Sequence, residues 1–390
     1  MSDHFKAIEL FSGAGGLALG VSKAGFKHEA VVEFNSNACQ TIRLNKNHPD
    51  VNDWALHEMD VREFDYSQLG RVDLVSGGPP CQPFSLGGRH RGQNDNRDMF
   101  PEAIRAVRET RPKAILIENV KGLLRESFAD YFEFITLQLT YPEVGRNEGE
   151  DWKSHLTRLE KHHTKGGARG LTYNVVYRLV NAADYGVPQK RERVVIVGIR
   201  SDLGLEFSFP EPTHSQDALV WEQCITGDYW QRHGIAKKNR PEVTPRVAAI
   251  ANRLNGMLIP PETKPWCTVR DAFVGLPHPA ALGANAFSNH VFYGGARAYP
   301  GHTGSEFDQP AKTLKAGDHG VPGGENMLVD VDGSLRYFSV RESARLQTFP
   351  DDYEFWGRWT IAMKQLGNAV PVQLAQVMAS RLRECLTVAS

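Results

Sequence analysis

The stretch Phe5-Lys-Ala-Ile-Glu-Leu-Phe-Ser-Gly-Ala-Gly-Gly16 decides the fold class of this 390-residue chain. Its first part, Phe5–Phe11, is mostly apolar and predicts a short buried strand. The glycines that follow predict a tight turn, and the residues after them predict a helix to about Ala24. A strand, a glycine turn and a helix in this order are typical of the first unit of a parallel α/β sheet, in which the turn can bring a ligand against the helix N-terminus.

The same alternation recurs along the first half of the chain. Apolar runs predict further strands at His28–Glu33, up to about Asp60, and at Val72–Val75, Ala114–Glu118, Tyr173–Val180 and Arg193–Ile199. Helical spacing predicts helices over Ala38–Leu44, Ala103–Glu109, Leu123–Leu137 and, at the end of the chain, Val372–Leu386. We therefore predict an α/β protein with a mostly parallel sheet.

Two segments depart from this pattern. The polar insert at about Tyr141–Gly170 is rich in Lys, Arg and His, and such charge runs are usually solvated loops. From about Leu203 to Val329 the chain is rich in Pro, Gly and Asn and has no sustained periodicity. Six Lys or Arg residues between positions 232 and 253 accompany a single acid, Glu242. This second segment predicts a separate, irregular domain with a basic face.

The composition excludes several classes of protein. With 45 Lys and Arg against 46 Asp and Glu, the net charge of -1 gives no general attraction to polyanions, so any nucleic-acid surface must be local. No apolar run approaches the roughly 20 residues that span a bilayer, and the N-terminus lacks a signal-peptide layout. The five cysteines form no Cys-x-x-Cys pair. We expect a cytoplasmic protein without a membrane segment, a disulfide framework or a metal site.

Residues at the predicted strand ends favour a nucleoside cofactor beside the glycine turn. Glu33 ends the second strand, about 20 residues after the turn, where an acid can bind ribose hydroxyls. Phe34 can stack on an adenine, and Asp60 ends the third strand, in position for the adenine amino group. The glycine spacing is not Gly-x-Gly-x-x-Gly and no phosphate-binding lysine follows, so S-adenosylmethionine fits better than NAD or ATP.

The loop Gly77-Gly-Pro-Pro-Cys-Gln-Pro-Phe-Ser85 holds a candidate nucleophile, Cys81. Ligands of open α/β sheets bind at the carboxyl ends of the strands, so this loop is expected beside the cofactor. Prolines on both sides of Cys81 stiffen the loop, which suits a nucleophile that must be aimed. A lone cysteine is more often a small core residue, and the other four cysteines are assigned that role.

Two further polar groups lie at predicted strand ends. Glu118 follows an apolar run, where desolvation would raise its pKa and allow it to donate a proton. An acid after a strand is equally common as a helix cap, and the residues alone leave both roles open. Gln189, Arg191 and Arg193 alternate and therefore share one face of a strand entrance. They either bind a phosphate or base edge or form an ordinary charged strand end.

Taken in order, these motifs resemble those of cytosine-5 DNA methyltransferases of the bacterial restriction–modification type. The resemblance covers about residues 5–200 and 335–372. It rests on the Phe-x-Gly-x-Gly turn, the Pro-Cys-Gln loop, Glu-Asn-Val, Gln-x-Arg-x-Arg, Arg341-Glu-x-Ala-Arg-Leu-Gln347 with Phe349-Pro350, and Gly367-Asn-Ala-Val370. Two positions depart from the family pattern, Phe34 in place of a frequent tryptophan and Ala369 in place of a frequent serine, and both concern only cofactor affinity.

The resemblance implies a Rossmann-like S-adenosylmethionine-dependent methyltransferase sheet with helices on both faces and a smaller, irregular target-recognition domain. It assigns residues 1–202 to the catalytic, cofactor-binding domain, 203–334 to target recognition and 335–390 to a C-terminal segment that returns to the catalytic domain. It places S-adenosyl-L-methionine against Phe11, Ser12, Gly13, Gly15, Gly16, Leu17, Glu33, Phe34, Asp60, Val61, Gly78, Pro80, Phe100, Asn368 and Ala369.

The implied reaction is methylation of a cytosine flipped out of duplex DNA. Cys81 adds to carbon-6 of the ring, Glu118 protonates ring nitrogen-3, and Arg193 with Arg191 holds the exocyclic oxygen and nearby phosphates. A mobile loop over about Ser85–Phe100 closes on the DNA. Contacts with DNA are assigned to Gln82, Ser85, Arg89, Arg91, Arg97, Lys312, Thr313 and Lys315.

The resemblance thus implies a site-specific DNA (cytosine-5-)-methyltransferase that protects host DNA in a restriction–modification system. A restriction endonuclease would act on the same site without direct contact, and the enzyme would be a monomer associated with the nucleoid through DNA. A tRNA cytosine-5 methyltransferase and a catalytically silent DNA-binding relative are the alternatives. The long basic region favours duplex DNA, and the presence of Cys81, Glu118 and Arg193 speaks against a silent relative.

Overall fold

The computed structural model describes residues 4–80, 98–166, 170–298, 303–316 and 326–388. Within these ranges the strands are β1 (Lys6–Leu10), β2 (Lys27–Glu33), β3 (Leu56–Glu58), β4 (Leu74–Gly77), β5 (Ala114–Val120), β6 (Tyr173–Asn181), β7 (Glu192–Arg200), β8 (His214–Ser215), β9 (Lys264–Pro265), β10 (Met327–Val329) and β11 (Leu335–Tyr337). The α-helices are α1 (Gly16–Lys23), α2 (Ser36–Leu44), α3 (Phe100–Thr110), α4 (Ala129–Thr140), α5 (Trp152–Thr164), α6 (Gln216–Val220), α7 (Asp228–Arg232), α8 (Pro245–Leu254), α9 (Val269–Ala272), α10 (Val340–Leu346), α11 (Trp359–Asn368) and α12 (Val372–Thr387).

Seven strands form one sheet in the order β3-β2-β1-β4-β5-β7-β6. The strands from β3 to β5 in this order pair in parallel, whereas β5 pairs with β7 in antiparallel orientation. The carboxyl ends of the parallel strands lie at one edge of the sheet, and ligands of such sheets bind there. The predicted α/β class with a mostly parallel sheet is confirmed, and the chain segments that follow β1, β2, β4 and β5 share this edge.

Different helices cover the sheet. Ile8 and Leu10 of β1 share a buried core with Ile104 of α3 and Ile135 of α4. Outside this core, α1 packs against α12, and a Cβ added at Gly20 would lie 2.4 Å from the Cβ of Ala375. The glycine in α1 therefore permits the close approach of the first and last helices.

Glu9 lies between Ile8 and Leu10 and, because side chains alternate along a strand, points away from their core. It is fully buried, and its carboxyl accepts a short hydrogen bond from the Ser76 hydroxyl on β4. Burial raises the pKa of Glu9 to about 8, although the Ser76 hydrogen bond lowers it. The sheet thus contains an acid that folding keeps protonated at neutral pH.

The polar insert after α4 is not the solvated loop that its charge predicted. Its residues Trp152–Thr164 form α5, and Asp151 caps this helix by accepting the backbone N–H groups of Lys153 and Ser154. Leu156 and Leu159 are buried in the core beside α4. These leucines and Trp152 recur at helical spacing, a signal that the surrounding charges concealed.

The chain divides into two compact units. The first contains Met1–Val180, Glu192–Pro210 and Asp352–Ser390, and the second contains Asn181–Arg191 and Glu211–Asp351. These bounds differ from the expected ones, because residues 181–191 and 335–351 belong to the second unit and residues 203–210 belong to the first. There β11 pairs with β10, and the Lys190 amide donates to the Ala311 carbonyl. The roles assigned to the two parts remain predictions.

Short elements make up the described part of the second unit. Its longest helix, α8, has ten residues, and its sheets have two strands each. Six buried residues hold part of it together, and they are Val269, Ala311, Leu314, Leu328, Phe338 and Leu346.

Candidate active site

The glycine turn after β1 is held by the acid at the end of β2. The two oxygens of the Glu33 carboxylate each accept a backbone N–H at 2.6 Å, one from Gly13 and one from Asn35. Burial raises the pKa of Glu33, and its hydrogen bonds with backbone N–H groups oppose that rise. Gly13 and Gly15 have φ angles of 54° and 85°, in the left-handed region where glycine is favoured. The sequence prediction of a glycine turn beside Glu33 therefore has a direct geometric basis.

Two aromatic residues beside this turn were missed by the sequence reasoning. The Tyr353 hydroxyl donates to the Ala14 carbonyl at 2.6 Å, and Tyr353 is fully buried. A Cβ added at Gly15 would lie 2.9 Å from the Trp54 ring and 3.0 Å from the Tyr353 oxygen. These side chains fix the backbone of the turn. Trp54 precedes a three-residue strand and Tyr353 follows the Phe349-Pro350 motif, and neither position has a periodicity that predicts the contact.

The turn fits S-adenosylmethionine in two respects. Ser12 is buried, and its Oγ has no hydrogen-bond partner in the described part of the chain. Because buried hydroxyls are nearly always hydrogen-bonded, an unsatisfied one at this turn is a natural contact for a polar ligand. Phe34, just after β2, is 74% exposed, so a flat ring can stack on it. Neither a hydrogen bond to Ser12 nor stacking on Phe34 needs a phosphate group on the ligand, and S-adenosylmethionine has none.

The other predicted cofactor residues near the first three strands have structural contacts of their own. Asp60 caps a 3₁₀ helix over Val61–Glu63, and its carboxylate pairs with the Arg62 guanidinium. The hydrogen bond from Arg62 lowers the pKa of Asp60, so this carboxylate is an acceptor. Val61 is buried, as are Gly16 and Leu17 in the first turn of α1. Contacts of these residues with an adenosyl group stay predictions.

The segment that leads into Cys81 is fastened to β5. The Asn119 side-chain amide donates to the Pro79 carbonyl at 3.0 Å, and the Met99 amide donates to the Pro80 carbonyl at 3.3 Å. A Cβ added at Gly78 would lie 3.5 Å from Glu118 Oε2. The chain therefore passes close to Glu118 three residues before Cys81. Several predicted site residues lie outside the described residues, and they are Cys81, Gln82, Ser85, Arg89, Arg91 and Arg97.

Glu118 and Arg193 form an ion pair between β5 and β7. Arg193 Nε lies 2.7 Å from Glu118 Oε1, and each side chain is 12% exposed. Burial lowers the pKa of Arg193 and the adjacent Glu118 raises it, and an arginine remains charged under both influences. The structure thus brings two of the four predicted catalytic residues together. The sequence suggested an apolar wall beside Glu118, whereas the carboxylate faces a guanidinium.

Three more predicted cofactor residues lie later in the chain. Phe100 begins α3 and is buried in the core. Asn368 ends α11 and is exposed, and Ala369 after it is buried. The Gln365 side chain in α11 accepts from the Thr41 hydroxyl of α2 at 2.6 Å, which fastens the end of α11 beside the helix that follows β2.

Gln189 and Arg191 belong to the second unit, where both side chains are buried. Arg191 Nη1 donates to the Leu314 carbonyl at 3.1 Å, and Gln189 Oε1 accepts from the Leu314 amide at 3.0 Å. Gln189 also donates to the Leu346 carbonyl. Both side chains therefore support residues 311–316. A contact of Arg191 with the reacting base stays a prediction.

Three predicted DNA contacts lie in the described part of the second unit. Lys312 Nζ donates to Thr303 Oγ1 at 2.7 Å, and the Thr313 hydroxyl donates to the Lys190 carbonyl at 2.6 Å. The Lys315 amide donates to the Asn326 side chain at 3.0 Å. Lys312 and Lys315 are exposed, so a ligand in solution can reach both.

The six cations between positions 232 and 253 do not form one uniform basic face. Arg232 pairs with Glu222 at 2.8 Å, and Arg253 pairs with Asp217 at 2.7 Å. The Arg240 guanidinium lies 5.5 Å from the centre of the Trp230 ring. Both acids lie outside residues 232–253, so the sequence of that stretch alone does not indicate these ion pairs.

Neither a metal-binding cluster nor a membrane-spanning helix occurs in the described ranges. No cluster of three or more His, Cys, Asp or Glu side chains in them could hold a metal ion. No helix in them combines the length and apolar character that crossing a bilayer demands.

The chain is similar to characterised sequences over nearly its full length. It matches the family described as C-5 cytosine-specific DNA methylase over residues 5–141 and 168–384. It is 31% identical to Type II methyltransferase M.NgoMIV of Neisseria gonorrhoeae, with 98% of each chain covered. It is 32% identical to Type II methyltransferase M.Eco47II of Escherichia coli, over 95% of this chain and 77% of that protein.

Solved structures share the fold. A putative DNA modification methyltransferase encoded within an Escherichia coli prophage superposes with a TM-score of 0.57 at 20% identity, and the match covers 98% of this chain and 99% of that one. The Dnmt2 methyltransferase of S. pombe superposes with a TM-score of 0.54 at 18% identity and the same coverage. Fold, motif order and sequence similarity agree, and the chain belongs to the C-5 cytosine-specific DNA methylase family.

Proposed function

We propose that this DNA cytosine-5 methyltransferase uses Cys81 as a covalent nucleophile on a cytosine flipped out of duplex DNA, with Glu118 and Arg193 acting on the same ring. The observation that carries the proposal is the Glu118–Arg193 ion pair at 2.7 Å beside Gly78, in the segment that leads into Cys81. The structure places a carboxyl group and a guanidinium here, and together with the thiol that we propose they are the groups that addition to a pyrimidine ring requires.

The other cysteines are poor candidates for the nucleophile. Burial raises the pKa of the Cys39 thiol to about 12 and that of Cys267 to about 11. Burial also raises the pKa values of Cys224 and Cys385. Because the thiolate is the reactive form, a raised pKa makes each of these four thiols less reactive at neutral pH than an unperturbed thiol. This leaves Cys81, on its proline-rich loop, as the nucleophile that we propose.

In the proposed reaction, the Cys81 thiolate bonds to carbon-6 of cytosine. Glu118, which is ion-paired as a carboxylate in the described state, must first take up a proton from solvent, and it then delivers that proton to ring nitrogen-3. Proton delivery neutralises the charge that addition places on the ring, and carbon-5 becomes nucleophilic. Arg193 orients Glu118 and hydrogen-bonds the exocyclic oxygen of the base. After methyl transfer, loss of the carbon-5 proton restores the ring and releases Cys81. The target base must leave the helical stack first, at a cost of a few kcal/mol.

Methyltransferases of this kind use S-adenosylmethionine, which supplies an electrophilic methyl group when bound. In this chain we assign it to the turn Phe11–Gly16. Ser12 Oγ and the backbone of Gly13 and Gly15 would hold it, and the exposed Phe34 ring would stack on its adenine. Glu33 keeps the turn in place through Gly13, and its remaining lone pairs can accept ribose hydroxyls.

We further propose that the second unit recognises the target sequence in duplex DNA and that the loop over about Ser85–Phe100 closes on it. The similar bacterial proteins are named Type II methyltransferases, and a partner endonuclease acting on the same DNA site is therefore proposed, with the enzyme itself acting as a monomer. A tRNA substrate is the alternative. Exposed cations of the long second unit, such as Lys312 and Lys315, favour DNA because a duplex presents a regular row of phosphates.

Methyl transfer from labelled S-adenosylmethionine to duplex DNA and to tRNA tests the proposal. We expect labelled DNA from the wild-type chain, none from Cys81→Ser, and full activity from Cys224→Ser as the matched cysteine control. Transfer to tRNA alone would replace the substrate assignment. Wild-type activity in Cys81→Ser would reject the covalent mechanism.

A further inference from the structure

A hydrogen bond joins the described residues on the two sides of the segment that contains Cys81. Pro80 and Asp98 flank positions 81–97, and the Met99 amide, next to Asp98, donates to the Pro80 carbonyl at 3.3 Å. Pro80 directly precedes Cys81 in the sequence. The backbone that leads into the proposed nucleophile therefore depends on how residues 98 and 99 are held.

A side chain from α4 holds Asp98. The Tyr131 hydroxyl donates a short hydrogen bond to Asp98 Oδ2, and Asp98 Oδ1 accepts the Phe100 amide at 3.3 Å. Tyr131 is buried and Asp98 is half-buried. A hydrogen bond to a carboxylate is stronger than one between neutral groups, and burial strengthens it further. Asp98 is thus fastened to a residue that lies 33 positions later in the chain.

The two hydrogen bonds of the Asp98 carboxylate have different consequences. Phe100 begins α3, and an acid close to a helix N-terminus stabilises the helix. That contact accounts for an acid at position 98, but it requires no tyrosine opposite the acid. The Tyr131 hydrogen bond does not involve the backbone of α3. It fixes the Asp98 carboxylate relative to the core that α4 helps to form.

Tyr131 is itself supported by α5. The Tyr131 and Trp152 rings meet edge to face with their centres 5.8 Å apart, and Phe134 contacts Trp152 in the same way at the same distance. Aromatic pairs of this geometry and separation are favourable. Trp152 begins α5, which lies between the two stretches that match the family, residues 5–141 and 168–384. The support for Tyr131 therefore comes from a part of the chain outside the family match.

We propose that Asp98 and Tyr131 are positioning residues for methyl transfer and that α5 supports this pair. They act through the hydrogen bond between Met99 and Pro80 on the backbone beside Cys81. This inference rests on the proposed function, in which Cys81 is the nucleophile. A nucleophile that is aimed less well reacts more slowly, although the substrates bind as tightly as before. The polar insert thereby receives a role that its charges did not indicate.

The test is a double-mutant cycle on the single-turnover rate of methyl transfer to duplex DNA, with S-adenosylmethionine and DNA saturating. Tyr131→Phe should slow transfer by about tenfold and leave the dissociation constants of DNA and cofactor near their wild-type values. Asp98→Ala should slow transfer at least as much. The double variant should be no slower than Asp98→Ala, because the two side chains act through one hydrogen bond.

Tyr173→Phe is the matched control. Tyr173 is buried in the same core as Tyr131, and its hydroxyl donates to the Pro112 carbonyl at 2.7 Å. Pro112 precedes β5, so this hydrogen bond lies at the opposite end of that strand from Glu118. Tyr173→Phe should lower the unfolding temperature about as much as Tyr131→Phe does, and its transfer rate should equal that of the wild type.

Three outcomes overturn the positioning pair. Tyr131→Phe transfers methyl groups at the wild-type rate, or Tyr173→Phe is slowed as much as Tyr131→Phe, or the effects of Tyr131→Phe and Asp98→Ala multiply in the double variant. If Asp98→Ala does not fold, the comparison of the two tyrosine variants decides the matter.

Trp152→Leu tests the contribution of α5 separately. It should slow single-turnover transfer in the same direction as Tyr131→Phe, again with unchanged dissociation constants. A folded Trp152→Leu variant with the wild-type rate would show that α5 has no part in positioning. Failure of the proposed function is distinguishable from either result, because Cys81→Ser would then keep its activity.

Discussion

Replacing Tyr353 by phenylalanine removes one hydrogen bond from the proposed cofactor turn and changes little else. The Tyr353 hydroxyl donates to the Ala14 carbonyl at 2.6 Å, and both residues are buried, so water does not replace the lost donor. Leaving a buried carbonyl without this partner costs about 1–3 kcal/mol. The ring remains, whereas the hydroxyl oxygen that lies 3.0 Å from the Cβ position of Gly15 is removed with the hydrogen bond.

We expect this cost to appear in two measurements. A loss of 1 kcal/mol lowers the unfolding temperature of a unit of this size by about 2–4 °C. Without this hydrogen bond the turn relaxes in the free protein, and cofactor binding must restore it. The affinity for S-adenosylmethionine therefore also falls, by about tenfold for each 1.4 kcal/mol that this restoration costs. Calorimetric unfolding and titration calorimetry with the cofactor give the two quantities separately.

Tyr66→Phe is the matched control. Tyr66 is buried, and its hydroxyl makes no hydrogen bond with the described residues. Removing that hydroxyl should leave the unfolding temperature unchanged or raise it, because no partner is lost. If Tyr353→Phe matched the wild type in both unfolding temperature and cofactor affinity, the assignment of Tyr353 as a support of the turn would be wrong.

Three further variants test other parts of the account. In the folded state the pKa of Glu9 is about 8, above its usual 4.5. The contribution of protonated Glu9 to the free energy of unfolding is therefore complete below pH 4.5. This contribution decreases by about 1.4 kcal/mol per pH unit as the pH rises to about 8. Glu9→Gln should flatten this pH dependence of the unfolding temperature, and an unchanged profile would contradict the buried protonated acid. Asn119→Ala should slow single-turnover methyl transfer by about tenfold or more, because the Pro79 carbonyl loses its donor; a normal rate would separate this bond from catalysis. Arg193→Lys should lower kcat by about tenfold or more and leave cofactor affinity unchanged, since an ammonium group cannot reproduce the guanidinium geometry at Glu118. A kcat equal to that of the wild type would argue against a catalytic role of the ion pair.

The sequence predicted the elements whose apolar periodicity is strong. All seven strands of the main sheet were expected, and for β1, β2, β4 and β5 the reason is that a buried parallel strand is a nearly continuous apolar run. The turn beside Glu33 was expected for a related reason, since positive φ angles require glycines that are visible in the sequence. The α5 helix was missed because its three apolar residues are separated by charges.

Contacts between distant parts of the chain could not be predicted in the same way. The partner of Ala14 is Tyr353, 339 residues away, and the partner of Arg253 is Asp217, 36 residues away. The alternation of Gln189, Arg191 and Arg193 suggested one shared face. The structure instead divides these residues between the two units, because β7 begins at Glu192. Local patterns do not determine such long-range pairing.

The covalent step is tested most directly with a duplex that carries 5-fluorocytosine at the methylated position. Release of Cys81 normally requires loss of the carbon-5 proton. Fluorine at carbon-5 cannot be lost in this way, so the covalent adduct accumulates. With active protein and S-adenosylmethionine, we predict a stable protein–DNA complex in denaturing gels, and mass spectrometry should locate the bond at Cys81. An active enzyme that forms no complex, or that forms one at a different residue, would contradict the assignment.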